Sequence, residues 1–182
     1  MVMIKGEAGI RYPWYVRFIF WLQRRKYGVE LESARLWGRM PKVFLALTLL
    51  YRAIDRHTSP IEPGLRSLIT VRVSQINWCS YCVDLNSAIA LERAVSPEKL
   101  ADLPRFGESP RYSEREKTAL RFAEAVTNTD CRIDDALAKH LRAHFSDDAL
   151  IELTALIAFQ NLSSKFNSAL GIPAQGFCGK PD

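Results

Sequence analysis

The sequence predicts an all-α fold in a single domain. Helix-capping patterns recur along the chain, whereas the alternation of apolar and polar residues that marks a strand is almost absent. The chain has 182 residues, of which 48% are hydrophobic and 25% charged, a composition typical of a globular protein with one buried core. No repeat, low-complexity segment or long linker separates a second domain.

The first half of the chain contains three predicted helices. They cover residues 11–28, the stretch from Pro41 through "KVFLALTLLYRAI" that stops before "HTSP", and roughly 63–75. The first begins near Pro13 and ends at Gly28, since proline favours the first turn of a helix and glycine its end. The β-branched residues in 69–73 leave a strand as the alternative for the third segment.

The second half is predicted to be helical as well. One helix starts at "CSYC" and runs to about Ala94, and "SPEK" places Ser96 at the N-cap of a short one. "SERE" is a capping box that opens the next, followed by "IDDALAKHLRAHF". The last helix is capped by Ser146 and ends at Gly171.

The N-terminal segment, residues 1–34, is predicted to be a basic and aromatic helical extension. Through Arg56 there are 11 Lys and Arg against 4 Asp and Glu, although the net charge of the whole chain is only +5. We expect its aromatic stripe to dock the helix onto its own domain or a neighbouring subunit; the stripe comprises Trp14, Phe18, Trp21 and Leu22. A basic, aromatic helix could instead bind an anionic membrane surface or nucleic acid. We expect neither a membrane nor a nucleic acid as a partner of this chain.

Two cysteines three residues apart, Cys79 and Cys82, are the main candidate for chemistry. At the start of a helix both thiols lie on one side, close enough to form a disulfide, and the free N–H groups favour a thiolate. Asn86 follows on the same face. The alternatives are two buried structural thiols, or half of a zinc site completed from the set Cys131, His140, His144 and Cys178.

The sequence around this motif resembles the alkylhydroperoxidase D-like (AhpD-like) branch of the carboxymuconolactone decarboxylase family. The resemblance is carried by "ITVRVSQINWCSYCVDLNSAIAL", by "RMPKVFLALTLLYRAI" upstream and by "SDDALIELTALIAFQNLSSKFNSALGIP" at the end. It covers residues 35–173, which we take as the AhpD-like domain, followed by a loose tail over 174–182.

The resemblance implies an all-α protein that assembles as a trimer or hexamer and reduces small hydroperoxides in antioxidant defence. Cys82 would be the peroxidatic thiolate and Cys79 the resolving thiol. No bound cofactor is expected; an external dithiol, dihydrolipoamide- or thioredoxin-like, would reduce the disulfide.

The chain departs from the family pattern at two positions of the proton relay. Asn86 stands where the family has histidine, and Ser67 stands where it has glutamate. Asparagine cannot take a proton at neutral pH, so the thiolate would depend on the helix N-terminus and on Arg66 or Arg72, or on a relay rebuilt from Tyr81 and Asp84. A non-catalytic scaffold or small-molecule binder is therefore the alternative function.

Three further expectations concern location and minor sites. No signal peptide is recognisable and the longest apolar run, residues 43–51, is too short to span a bilayer, so we expect a cytoplasmic protein with reduced thiols. Asn161 and Asn167 either line a pocket or form a polar seam between subunits. Cys178, in the tail, is expected to be more reactive than Cys131.

Overall fold

The computed structural model describes Ile4 and residues 9–179, and the regular secondary structure of these residues is helical, without strands. The helices are α1 (Trp14–Tyr27), α2 (Glu32–Trp37), α3 (Pro41–Ile54), α4 (Pro63–Ile76), α5 (Ser80–Glu92), α6 (Pro97–Ala101), α7 (Glu114–Thr127), α8 (Asp135–His144) and α9 (Asp147–Ala169), with a 3₁₀ turn at Leu103–Arg105. The predicted all-α class is confirmed, and the 69–73 segment is helix rather than strand.

Local capping explains most of the helix boundaries. Ser96, Ser113 and Ser146 each accept a hydrogen bond from a backbone N–H of the first turn, and Ser113 completes a capping box with Glu116. Gly28 ends α1 with a φ of 75°, a left-handed conformation that glycine adopts without strain.

Helix α4 lies at the centre of the fold, against α5, α7 and α9. Its side chains join those of α7, α8 and α9 in the main core, whose fully buried members include Leu68, Ile69, Leu120, Leu153 and Ile157. Because α4 is covered on several sides, its polar residues Arg66, Ser67 and Ser74 are buried too.

The N-terminal extension packs on α2 and α3 through a different face from the one predicted. Val16, Ile19 and Phe20 are buried, whereas the stripe Trp14, Phe18, Trp21 and Leu22 is exposed. The stripe does not dock onto the chain's own domain; both sides of α1 are apolar, and periodicity alone does not say which one faces inward. Docking onto a neighbouring subunit stays a prediction. The predicted boundary between residues 34 and 35 falls inside α2.

The part of the tail that the structure describes is held against α5 rather than loose. The backbone N–H groups of Gln175, Gly176 and Cys178 donate to the carboxylate of Asp84 at 2.9, 2.7 and 2.9 Å. The predicted extension and tail also include 1–3, 5–8 and 180–182, which lie outside the described residues. Within the described part of the chain, no helix is long and apolar enough to cross a bilayer.

Candidate functional site

The cysteine motif lies in the turn between α4 and α5. Trp78 takes a left-handed φ of 54°, Cys79 is the N-cap and α5 starts at Ser80, within the "CSYC" stretch where the helix was predicted to start. The backbone N–H of Cys82 donates to Sγ of Cys79 at 3.2 Å. The two sulfurs are bonded to each other, with Cα atoms 5.2 Å apart.

The disulfide is buried beneath the C-terminal part of the chain. Cys79 is 1% and Cys82 3% exposed. They share an apolar cluster with Leu36 of α2 and Ile172, and further partly buried side chains pack on it, namely Leu85, Phe166, Leu170 and Phe177. A reductant therefore reaches the sulfurs only if part of this cover moves.

Asn167 of α9 lies against the sulfur of Cys82. Its Nδ2 donates to Sγ at 3.2 Å, and its Oδ1 accepts from the Ser33 hydroxyl at 2.7 Å. Asn167 is 1% exposed. The sequence predicted Asn167 only as a pocket-lining or seam residue. Its contact with Cys82 was not foreseen, because Asn167 is 85 residues from Cys82 and 134 residues from Ser33 in the sequence.

Asn86, which the resemblance places at the family's histidine position, lies in a network of amides and hydroxyls. Its Nδ2 donates to Oγ of Ser74 at 3.1 Å, and Nε2 of Gln160 donates to the same oxygen at 2.9 Å. The Ser74 hydroxyl in turn donates to the Thr70 carbonyl at 2.6 Å. None of these groups titrates near neutral pH, so the network orients side chains but takes no proton.

Ser67, which the resemblance places at the family's glutamate position, is paired with an arginine. Nη1 of Arg93 donates to its hydroxyl at 3.3 Å. The same guanidinium binds the carboxylate of Asp55, which also lies 3.0 Å from Nε of Arg66. Arg66 is thus committed to an ion pair, and Arg72 is likewise paired with Glu124. In the described residues, neither arginine contacts the cysteines.

Tyr81 and Asp84, the remaining candidates for a rebuilt relay, lie in different surroundings. Tyr81 is 3% exposed, and burial raises the pKa of its phenol far above the ordinary value. Burial also favours the neutral form of Asp84, but hydrogen bonds from the backbone of Cys178, Phe177, Gln175 and Gly176 outweigh it and hold the pKa of this carboxyl below its ordinary value. Asp84 is therefore an ionised anchor for the tail.

A cavity of about 190 Å³ lies next to α5, between α3 and α9. Tyr81 and Asn86, which flank Cys82 in the sequence, are part of its wall, together with Ser33 of α2. The remaining wall combines aliphatic and polar side chains with four aromatic ones, Trp37, Phe44, Tyr51 and Phe159. Such a lining suits a small apolar molecule.

The residues considered for zinc do not gather around the cysteine pair. His140 and His144 lie on or at the end of α8, and Cys131 and Cys178 are exposed. Among the described residues, no group of three or more His, Cys, Asp and Glu side chains could hold a metal ion. Burial, with the nearby Asp84 carboxylate, raises the pKa of Cys178, which disfavours the reactive thiolate expected in the tail.

Comparison with known proteins identifies the family. The carboxymuconolactone decarboxylase family model matches residues 41–125. The uncharacterized protein YnjA of Escherichia coli is 44% identical over 170 residues, covering 93% of each chain. The solved AhpD core of a peroxidase-related protein from Ralstonia eutropha shares the fold, with a TM-score of 0.84 at 23% identity over 96% of this chain and 95% of that one.

A debrominase, Bmp8, has the same fold. Its structure without ligand aligns with a TM-score of 0.80 at 25% identity, over 90% of this chain and 88% of the debrominase. A variant of that enzyme has been solved in complex with 2,3,4-tribromopyrrole. The match of the family model, together with the extensive identity to YnjA and these shared folds, shows that the chain belongs to the AhpD-like carboxymuconolactone decarboxylase family.

Proposed function

We propose that the protein is a thiol-dependent hydroperoxide reductase that cycles Cys79 and Cys82 between dithiol and disulfide. The observation that supports it most directly is the bonded cysteine pair at the N-terminus of α5, next to the cavity wall. AhpD-like structures described as peroxidase-related share the fold.

The proposed reaction has three steps. The Cys82 thiol first gives up its proton to solvent, and the thiolate attacks the terminal oxygen of the hydroperoxide. The O–O bond breaks, Cys82 becomes a sulfenic acid, and the alkoxide takes a proton back from solvent and leaves as the alcohol. The Cys79 thiol then attacks that sulfur, which forms the disulfide and releases water. An external dithiol, dihydrolipoamide- or thioredoxin-like, exchanges with the disulfide, and both cysteines return to thiols in a reducing cytoplasm.

The experiment is to measure hydroperoxide consumption by the reduced protein with dihydrolipoamide as donor, beside Cys82→Ser. We expect turnover in the parent protein and none above background in the variant. Cys131→Ser is the matched control, since Cys131 is exposed and free, and it is expected to keep the parent rate. Equal background rates in parent and Cys82→Ser would remove the proposal.

Reductive debromination is a second candidate, favoured by the aromatic side chains in the cavity wall and by the 25% identity to a debrominase. In that reaction the Cys82 thiolate would take bromine from an aromatic carbon, which gains a proton. Cys79 would then displace bromide as the disulfide forms, so the ring gains the two electrons that the dithiol loses. Bromide release from a brominated pyrrole, measured in the same assay, distinguishes the two substrates.

We also propose that the protein forms a homo-oligomer, a trimer or hexamer, through the outer face of α3. Only Phe44 of this apolar helix is buried, while Leu49 is 59% and Leu50 47% exposed. Soluble proteins seldom leave such a stripe uncovered. Light scattering during size exclusion should show a multimer that dissociates in Leu49→Glu; a monomeric parent would contradict the proposal.

A further inference from the structure

The two sulfurs of the motif receive hydrogen bonds from different kinds of donor. Cys79, at the N-cap, accepts from the backbone N–H of Cys82. Cys82 accepts from the side-chain amide of Asn167, at 3.2 Å. The helix N-terminus therefore favours an anion on Cys79, and the described donor to Sγ of Cys82 comes from another helix.

We propose that Asn167, oriented by Ser33, stabilises the thiolate of Cys82 and so takes over part of the role that the missing histidine has in the family. This inference rests on the proposed function, in which Cys82 is the attacking sulfur. A hydrogen bond to the charged form of an acid favours that form. An amide donor does so at any pH, because it does not titrate.

Ser33 acts as the positioning residue. Its hydroxyl donates to Oδ1 of Asn167 at 2.7 Å, which directs the amide nitrogen toward the sulfur. Both side chains are buried, and a buried donor or acceptor without a partner is costly. The two hydrogen bonds from Ser33 to Asn167 and from Asn167 to Cys82 are therefore both made in only one orientation of the Asn167 amide. Ser33 also lines the cavity, which links the orientation of Asn167 to the place where a substrate would sit.

The test is a pH titration of thiolate absorbance in a protein whose only cysteine is Cys82. The background is Cys79→Ser with the other two cysteines replaced by serine; serine at position 79 keeps an N-cap oxygen. In Asn167→Leu we expect the midpoint of thiolate formation to rise by about one pH unit, a tenfold loss of thiolate at lower pH. Ser33→Ala should raise it less, and Ser33→Thr should restore the parent value.

Thr118→Val is the matched control, because it also removes a buried hydroxyl but lies on α7, where it bonds to the Glu114 carbonyl. It should leave the midpoint unchanged. A folded Asn167→Leu with the parent midpoint would overturn the inference; if that variant does not fold, an unchanged midpoint in Ser33→Ala does so. The titration contains no peroxide, so a protein that consumes none still reports on Asn167, and the two proposals fail separately.

Discussion

The side-chain amide of Asn86, the residue that the family resemblance places at the relay histidine, donates to the hydroxyl oxygen of Ser74 at 3.1 Å. Gln160 binds the same oxygen, so the space is filled by neutral groups that are already paired. Asn86 therefore lies in a closed network of neutral polar side chains. The chemical consequence is a site without a general base at this position.

Placing a general base at position 86 should raise the rate of peroxide reduction. We expect Asn86→His to increase hydroperoxide consumption by about tenfold or more at neutral pH, since a positioned general base contributes roughly 100- to 10,000-fold where its own partners are present. The rate should rise as pH passes about 6.5, where histidine loses its proton. Asn86→Gln, which keeps an amide, should show no gain; equal rates in the two variants would mean that proton abstraction does not limit the reaction.

Tyr81 is expected to act through packing rather than proton transfer. Its raised pKa keeps the phenol protonated throughout the neutral range, so it is a poor acid and offers no base. Tyr81→Phe should therefore keep peroxide turnover within about twofold of the parent, whereas Tyr81→Ala should lose it together with the packing around the disulfide. A large loss of turnover in a folded Tyr81→Phe would instead assign the hydroxyl a direct role.

Asp84 should control access to the disulfide by anchoring the tail. In Asp84→Ala the backbone N–H groups of Gln175, Gly176 and Cys178 lose their acceptor, and Phe177, which packs near the cysteines, is no longer held. We expect faster reduction of the Cys79–Cys82 disulfide by dithiothreitol, and faster amide exchange in the tail. Unchanged rates in both measurements would show that the cover opens elsewhere.

The same contact gives a pH dependence. Because hydrogen bonding lowers the pKa of Asp84 in the folded protein, the stabilisation of the tail is present above the carboxyl's ordinary value of 3.8 and is lost only as pH falls through the lower value. Amide protection of 175–178, followed by hydrogen exchange, should persist on acidification to about pH 4. Loss of protection between pH 6 and 5 would point to a different titrating group.

Asp55 should be important for stability, since it neutralises Arg66 and Arg93 at once. The side chain of Arg66 is only 5% exposed, so removing its counter-ion leaves a buried charge. Asp55→Asn should lower the free energy of unfolding by about 3 kcal/mol in urea. The more exposed pair between Lys117 and Glu114 is the control. Glu114→Gln should change the free energy of unfolding by less than about 1 kcal/mol. Equal effects would mean that the Asp55 cluster contributes no more to stability than an exposed ion pair.

Local sequence signals predicted most of the helices, and long-range contacts determined what they missed. Ser113 and Ser146 mark their helices by capping side chains that act within a few residues. The short α2 lacks a side-chain cap and was not predicted. Its Ser33 meets Asn167 across 134 residues, and Asp84 meets the tail across more than 90, distances over which one sequence carries no pairing signal.

The central claim, that Cys82 attacks and Cys79 resolves, is tested most directly by trapping the sulfenic acid. Reduced Cys79→Ser, treated with one equivalent of hydroperoxide and then dimedone, should carry the adduct on Cys82 in peptide mass spectrometry. The parent should form the Cys79–Cys82 disulfide and no adduct, because the second thiol reacts first. An adduct confined to Cys79 in the reciprocal Cys82→Ser, with none on Cys82 in Cys79→Ser, would contradict the account.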